Sequence, residues 1–128
     1  MYFLDTTFIV ALFVANDQWH TEAMEIYKEI KNDELVISKL VIAETVTILK
    51  NKLKTRDIRE IYRNLPHIFR VIEDSYYFDE AMEEFVKYDS KISFFDSMYV
   101  ALMKRENICE LISFDDDFDR VDGIVRIH

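Results

Sequence analysis

Short apolar runs recur along this chain, and between them lie segments with helical spacing. "YFLD" (2–5), "ELVIS" (34–38), "HIFRVIE" (67–73), "CELISF" (109–114) and "GIVRIH" (123–128) predict strands. Residues 7–15, 18–31, 39–54, 56–65, 77–88 and 93–107 predict helices, the fourth stopped by Pro66, the only proline. Strands separated by helices cannot be joined by hairpins. They imply parallel pairing with helices on both faces, an α/β fold in three layers. At 128 residues the expectation is one domain over 1–128 with a real core, half of its residues being apolar.

The same sequence removes several function classes. Gly123 is the only glycine, so no glycine-rich phosphate loop can form. Cys109 is the only cysteine, which rules out an internal disulfide and fits a reducing cytoplasm. His20, His67 and His128 are scattered, and no Cys or His pair supports zinc. "FIVALFVA" is too short to span a membrane, and Asp5 ahead of it spoils a secretory signal, so no membrane association is expected. A net charge of −9 argues against nucleic-acid binding by the whole surface. One stretch departs from that balance: Lys50, Lys52, Lys54, Arg56, Arg59 and Arg63 fall close together. A solvated helix end would account for them. So would contact with a phosphate backbone, for which Lys50, Lys52 and Lys54 are the candidates. Lys50 and Lys54, four apart, would share a face of the 39–54 helix.

Four acids stand where an acid needs a reason. Asp5 ends the first strand, and carboxyl ends of parallel strands line the ligand crevice of an open sheet. Capping the next helix is its plainer role, although Thr6 and Thr7 could do that instead. Glu44 is the only charge in "LVIAETVTIL" (40–49), a helix apolar nearly all round and expected to be buried. A lone buried carboxylate costs several kcal/mol unless donors or a cation meet it. Asp96 is the only charge in "FFDSMYVALM" (94–103); "SFFD" also reads as a capping box with Ser93 at its head. Asp115 opens the aspartate run of "LISFDDDFDR" (111–120), again past a strand end. Asp117 could support it, whereas Asp116 and Asp119 read as solvated. Four carboxylates in one crevice need a counter-charge, and hard oxygen ligands suit Mg²⁺ or Mn²⁺. Such a site fits metal-assisted hydrolysis, typically of phosphodiesters.

"FLDTTFIVAL", "HTEA" (20–23), "SKLVIAETVTIL" (38–49), "ISFFDSMYVALMKREN" (92–107) and "LISFDDDF" (111–118) together resemble, in order and over nearly the whole chain, the motifs of the PIN-domain family. The likeness is greatest to its small VapC-type toxin ribonucleases. The resemblance implies a Rossmann-like fold around a five-stranded, mostly parallel sheet. It implies Mg²⁺- or Mn²⁺-dependent cleavage of single-stranded RNA leaving a 5′-phosphate and a 3′-hydroxyl, a homodimer, and a small antitoxin partner. It places the acids of the site on Asp5, Glu44, Asp96 and Asp115, both as catalytic residues and as metal ligands. Thr6 or Thr7 supplies the hydroxyl beside the first acid, Ser113 the one before the fourth, and Asp117 could share the role of Asp115. An RNA-processing nuclease without an antitoxin, or a silent binding scaffold, would carry the same fold. A phospho-receiver would want an aspartate after its third strand and a late Lys-Pro, and a haloacid-dehalogenase-type phosphatase a second aspartate after "LD". Neither pattern is present.

Overall fold

The computed structural model describes all 128 residues. Five short strands form one parallel sheet: β1 (Tyr2–Leu4), β2 (Leu35–Ser38), β3 (Arg70–Ile72), β4 (Glu110–Ile112) and β5 (Val125–Ile127), in the order β3-β2-β1-β4-β5. Six helices connect them: α1 (Thr6–Phe13), α2 (His20–Ile30), α3 (Lys39–Leu49), α4 (Thr55–Ile68), α5 (Phe78–Lys87) and α6 (Phe94–Arg105). The order reverses at β1, which lies between β2 and β4. At such a switch point two successive connections leave the sheet on opposite sides and open a crevice at the carboxyl ends. No helix is long and apolar enough to cross a membrane.

Burial follows from position in the sheet. The central strands are sealed: Phe3, Leu4, Val36, Ile37, Leu111 and Ile112 are all fully buried, each worth about 1.5–3 kcal/mol of transfer free energy. β3 and β5 are edges and expose Arg70 and Val125. α6 lies deepest among the helices, buried from Asp96 to Met103. Gly123 turns the chain into β5 with φ +81°, a conformation that only glycine adopts without strain.

Three expectations need correction. Pro66 does not stop α4; it lies inside the helix, which runs on to Ile68. Proline there removes only one hydrogen bond near the helix end, and Phe69 still donates to the Leu65 carbonyl (3.0 Å). β3 accordingly starts at Arg70 rather than at His67. α3 ends at Leu49 rather than at Lys54, because Leu53 folds back against a small cluster of Val10, Val14 and Leu49. Lys50 therefore caps α3, and Lys52 lies in the turn leading to Lys54, the residue ahead of α4, so Lys50 and Lys54 do not share a face of one helix. Finally, α3 is not buried all round. Only Val41, Thr45 and Leu49 are sealed, while Ile42, Ala43 and Val46 line an open groove against Ile58, Tyr62 and Val71.

Candidate active site

The site forms where β1 and β4 end and where α1, α3 and α6 approach. Asp5 follows β1 and is the N-cap of α1, accepting the Thr7 backbone N–H at 3.4 Å. Thr6 and Thr7 are therefore not the cap; they do something else. The Thr7 hydroxyl donates to Asp5 Oδ2 (2.8 Å), and so does the Ser113 hydroxyl (2.7 Å) from the end of β4. These hydroxyls are themselves held in place: Phe114 N–H donates to Thr7 Oγ1 (3.0 Å) and Asp115 N–H to Ser113 Oγ (3.0 Å). A hydrogen-bonded path thus runs from strand β1 to the aspartate run after β4.

Glu44 does not point into solvent. Its Oε1 accepts from the Thr6 hydroxyl (2.6 Å) and from the Tyr99 hydroxyl of α6 (3.0 Å). Asp115 Oδ1 accepts the Asp117 N–H (2.9 Å) and caps a short 3₁₀ turn, Asp116–Arg120. In each of the three acids, donors of the chain converge on a single oxygen, and no side-chain donor reaches the other. Those second oxygens are not sealed either: the completely buried, unpaired side-chain oxygens are Thr45 Oγ1, Asp74 Oδ2 and Glu84 Oε2.

Asp96 completes the group. Ser93 is the N-cap of α6, with its hydroxyl accepting the Asp96 N–H (3.0 Å), so the capping half of the "SFFD" reading is present. Burial and then the neighbouring charges of Asp5, Asp115 and Glu44 push the Asp96 carboxyl up to about 8. The charges of Asp5, Glu44 and Asp115 thus all act on Asp96. Burial raises Asp5 as well, against the lowering effect of Ser113 and Thr7. Burial and the Glu44 charge raise the Tyr99 phenol, keeping it a neutral donor. No lysine or arginine forms an ion pair with any of the four acids.

The rest of the aspartate run divides. Asp119 holds Arg126 with two short bonds (2.7 and 2.8 Å), and Arg126 donates to the Ser113 carbonyl (3.1 Å). That pair braces the end of β4, and the guanidinium pulls the Asp119 carboxyl below its usual range. Asp119 is thus paired, not merely solvated. Asp117 is half-buried and 3.9 Å from Arg120, and Asp116 is exposed. Carboxylate oxygens of Asp115, Asp116 and Asp117 lie within 4.8 Å of one another. Lys50, Lys52 and Lys54 are exposed beyond the far end of α3 from Ser38.

Two residues of this region escaped the sequence reading. Tyr99 sits one helical turn after Asp96, and its only signal was a hydroxyl in an otherwise apolar helix. Asp74 is 3% exposed just past β3, and its Oδ1 accepts the Leu40 N–H (2.9 Å) at the start of α3. The argument that found Asp5, an acid at a strand's carboxyl end, applied to it equally.

Comparison with known proteins accords with this geometry. The family model described as PIN domain matches residues 2–124. Among solved structures, Mycobacterium tuberculosis VapC20, described as a sarcin-ricin loop cleaving toxin, is 27% identical, with a TM-score of 0.87 over 98% of this chain and 97% of that one. VapBC2 from Rickettsia felis, solved on a promoter DNA fragment, is 18% identical at TM-score 0.72, covering 98% and 96%. A toxin-antitoxin complex from Klebsiella pneumoniae is 20% identical at 0.68, covering 98% and 96%. The last two likenesses bear on the fold alone. No curated protein sequence matches the chain significantly.

Proposed function

The chain belongs to the PIN-domain family, and from that premise we propose that it is a metal-dependent endoribonuclease that cuts single-stranded RNA in the cytoplasm as the toxin of a toxin-antitoxin pair. One observation carries the chemistry. Asp5, Glu44 and Asp115 each have one oxygen fixed by donors of the chain and the other without a side-chain donor, in company with Asp96 and without a cation. Carboxylate oxygens in that number suit a hard divalent ion such as Mg²⁺ or Mn²⁺ and do not suit zinc or copper. When bound, such an ion supplies Lewis acidity and offsets the charge that builds up at phosphorus during in-line attack.

The residues' own tasks follow from their contacts. Ser113 and Thr7 fix the rotamer of Asp5; Thr6 and Tyr99 fix that of Glu44. Preset ligands need no reorganisation when an ion and a phosphate arrive. Asp96 and Asp115 close the ring from α6 and from the β4 edge, and Asp117, through its N–H, orients Asp115. The products would be a 5′-phosphate and a 3′-hydroxyl, as the family resemblance implies. VapC20's description as a toxin supports an antitoxin partner. A homodimer is part of the same proposal; it would cover the exposed Phe78, Met82 and Val86 of α5, and light scattering at tens of micromolar would show a doubled mass. Lys50, Lys52 and Lys54 would meet flanking phosphates, so their replacement by glutamine should flatten the salt dependence of RNA binding.

The deciding experiment is cleavage of single-stranded RNA in Mn²⁺, with Asp5→Asn and chelator controls. Cleavage by the wild type only, lost in both controls, is the expected result. Cleavage that survives chelation, or an inert wild type, would overturn the proposal.

A further inference from the structure

The chain's only tryptophan lies outside the core. Trp19 is 40% exposed and ends the loop that joins α1 to α2. The loop is fastened on both sides of it: Trp19 N–H donates to Asp17 Oδ1 (2.8 Å), and the His20 ring Nδ1 is 2.7 Å from the Ala11 carbonyl oxygen. The indole lies flat on Phe114, with centroids 5.1 Å apart and planes 6° from parallel. Phe114 leans in turn on Phe8, which is fully buried, at 6.2 Å. One face of the indole is therefore backed by a rigid aromatic column anchored in the core.

The position of that column ties it to the site. Phe114 is flanked by Ser113, which holds Asp5, and by Asp115, and its own N–H holds Thr7. The loop residues Asn16, Asp17 and Gln18, just before Trp19 in the chain, line a polar recess of about 470 Å³ together with Asn51 and Lys52. The stacked aromatic pair is thus joined in the chain to the acids through Phe114 and to a recess bearing a lysine through the loop before Trp19. A protein of net charge −9 gains little general attraction for RNA. An aromatic face needs no charge: any unpaired base can stack on it.

We propose that Trp19, backed by Phe114, is a nucleobase-stacking subsite that holds an unpaired base beside the phosphodiester to be cut. The subsite rests on the ribonuclease reading above and adds to it the contact that selects single strands. Bases inside a duplex are stacked on each other and present no free face, so a duplex cannot use it.

Because Trp19 is the only tryptophan, its fluorescence reports this ring alone. The test uses the full-length Asp96→Asn chain in Mg²⁺, titrated with a fluorescein-labelled single-stranded RNA. Anisotropy of the label measures binding, and indole emission measures stacking. Indole quenching that saturates together with the anisotropy is expected, along with little quenching by the same sequence as a duplex. In the same background, Trp19→Ala should weaken binding about ten- to hundredfold, while Trp19→Phe, which keeps a stacking face and the packing on Phe114, should retain most of it. The Mn²⁺ affinity of both variants should match the parent, Trp19→Phe should melt with it, and Trp19→Ala a few degrees lower through lost packing on Phe114 while still folded at the assay temperature. RNA that binds without quenching, and equally well to Trp19→Ala, would overturn the subsite and leave the ribonuclease reading intact. A wild-type chain that binds no RNA at all would overturn both.

Discussion

Asp74 and Asp5 hold equivalent places and are treated in opposite ways. Each follows the carboxyl end of a parallel strand, β3 or β1, and each is 3% exposed. Burial raises both carboxyls, and hydroxyl or N–H donors lower them in part. Asp74 spends one oxygen on the N–H of Leu40 at the head of α3, and its other oxygen is sealed without a partner. Asp5 gathers Thr7 and Ser113 on one oxygen, its other oxygen is not among the sealed ones, and its charge acts on Asp96 together with those of Glu44 and Asp115. Burial at a strand end is thus not the mark of a site. An open second oxygen in the company of other acids is. Asp74 still serves the site indirectly, because the helix whose start it ties down carries Glu44.

The largest effect that can break this comparison is on cleavage. Asp96→Asn keeps size and hydrogen bonding but removes the charge. RNA cleavage in Mg²⁺ should fall by at least about 10²-fold, since an ion at this site stabilises the transition state by several kcal/mol. Without metal the variant should melt no lower than the wild type, because a repulsive charge has gone. Asp74→Asn, given the same assay, should cleave at nearly the wild-type rate per folded molecule. If Asp96→Asn cuts RNA as fast as the parent, Asp96 is a helix cap and nothing more.

The pH dependence of stability comes next in size. In metal-free buffer the folded Asp96 carboxyl, held at about 8, binds a proton that the unfolded chain releases near 3.9. Its folded value is raised, so its contribution is fully present below about pH 4 and is lost as pH climbs toward 8. The slope is at most about 1.4 kcal/mol per pH unit. Urea midpoints from pH 4 to 9 should therefore fall more steeply for the wild type than for Asp96→Asn, and saturating Mg²⁺ should erase the difference. Asp74 is raised in the same direction, but Mg²⁺ should not touch its share. Identical slopes for wild type and Asp96→Asn would show that the four acids do not share a field.

Much of this contrast could be read from the sequence, and the part that could not has a physical cause. Glu44 and Asp96 stood out because each was the only charge in a long apolar segment, a pattern whose cost is visible in one dimension. The five strands and their parallel pairing followed from spacing alone. Asp74 was passed over because Asp74 and Glu73 precede "SYY" in what reads as an ordinary polar turn, and its bond to the head of α3, 34 residues away, is reported by no local pattern. Pro66 misled because its cost in a helix depends on distance from the end, and Leu53 ended α3 through contacts with Val10 and Val14 that lie far away in sequence. Tyr99 was hidden for a related reason: its hydroxyl meets a carboxylate 55 residues away.

A third way to sharpen the comparison is to remove the structural acid outright. Asp74→Ala takes away the acceptor for Leu40 N–H and exposes the head of α3 to fraying. Loss of such a cap costs about 1–2 kcal/mol. Urea denaturation should show that loss, with cleavage by the remaining folded protein close to the wild-type rate well below the melting temperature. A collapse of activity without a change in stability would make Asp74 a fifth member of the site and dissolve the distinction drawn here.

The smallest expected effect tests whether the hydroxyls that grip the open acids are there for the ion. Tyr99→Phe removes one oxygen and keeps the ring against Phe3, 5.6 Å away. Glu44 Oε1 then retains only the Thr6 hydroxyl at 2.6 Å. A hydrogen bond to a charged acceptor contributes up to about 1.5–3 kcal/mol net, so the folded state should lose no more than that in metal-free buffer. If the phenol's task is to hold Glu44 ready, its loss should appear in the affinity for the ion. Mn²⁺ binding, followed by electron paramagnetic resonance of the free ion, should weaken about two- to tenfold. Cleavage at saturating Mn²⁺ should stay near the wild-type rate, because a bound ion holds the carboxylate in place of the lost donor. A variant that loses stability but binds Mn²⁺ as tightly as the parent would put Tyr99 with Asp74, as part of the scaffold, and leave Thr6 alone to aim Glu44.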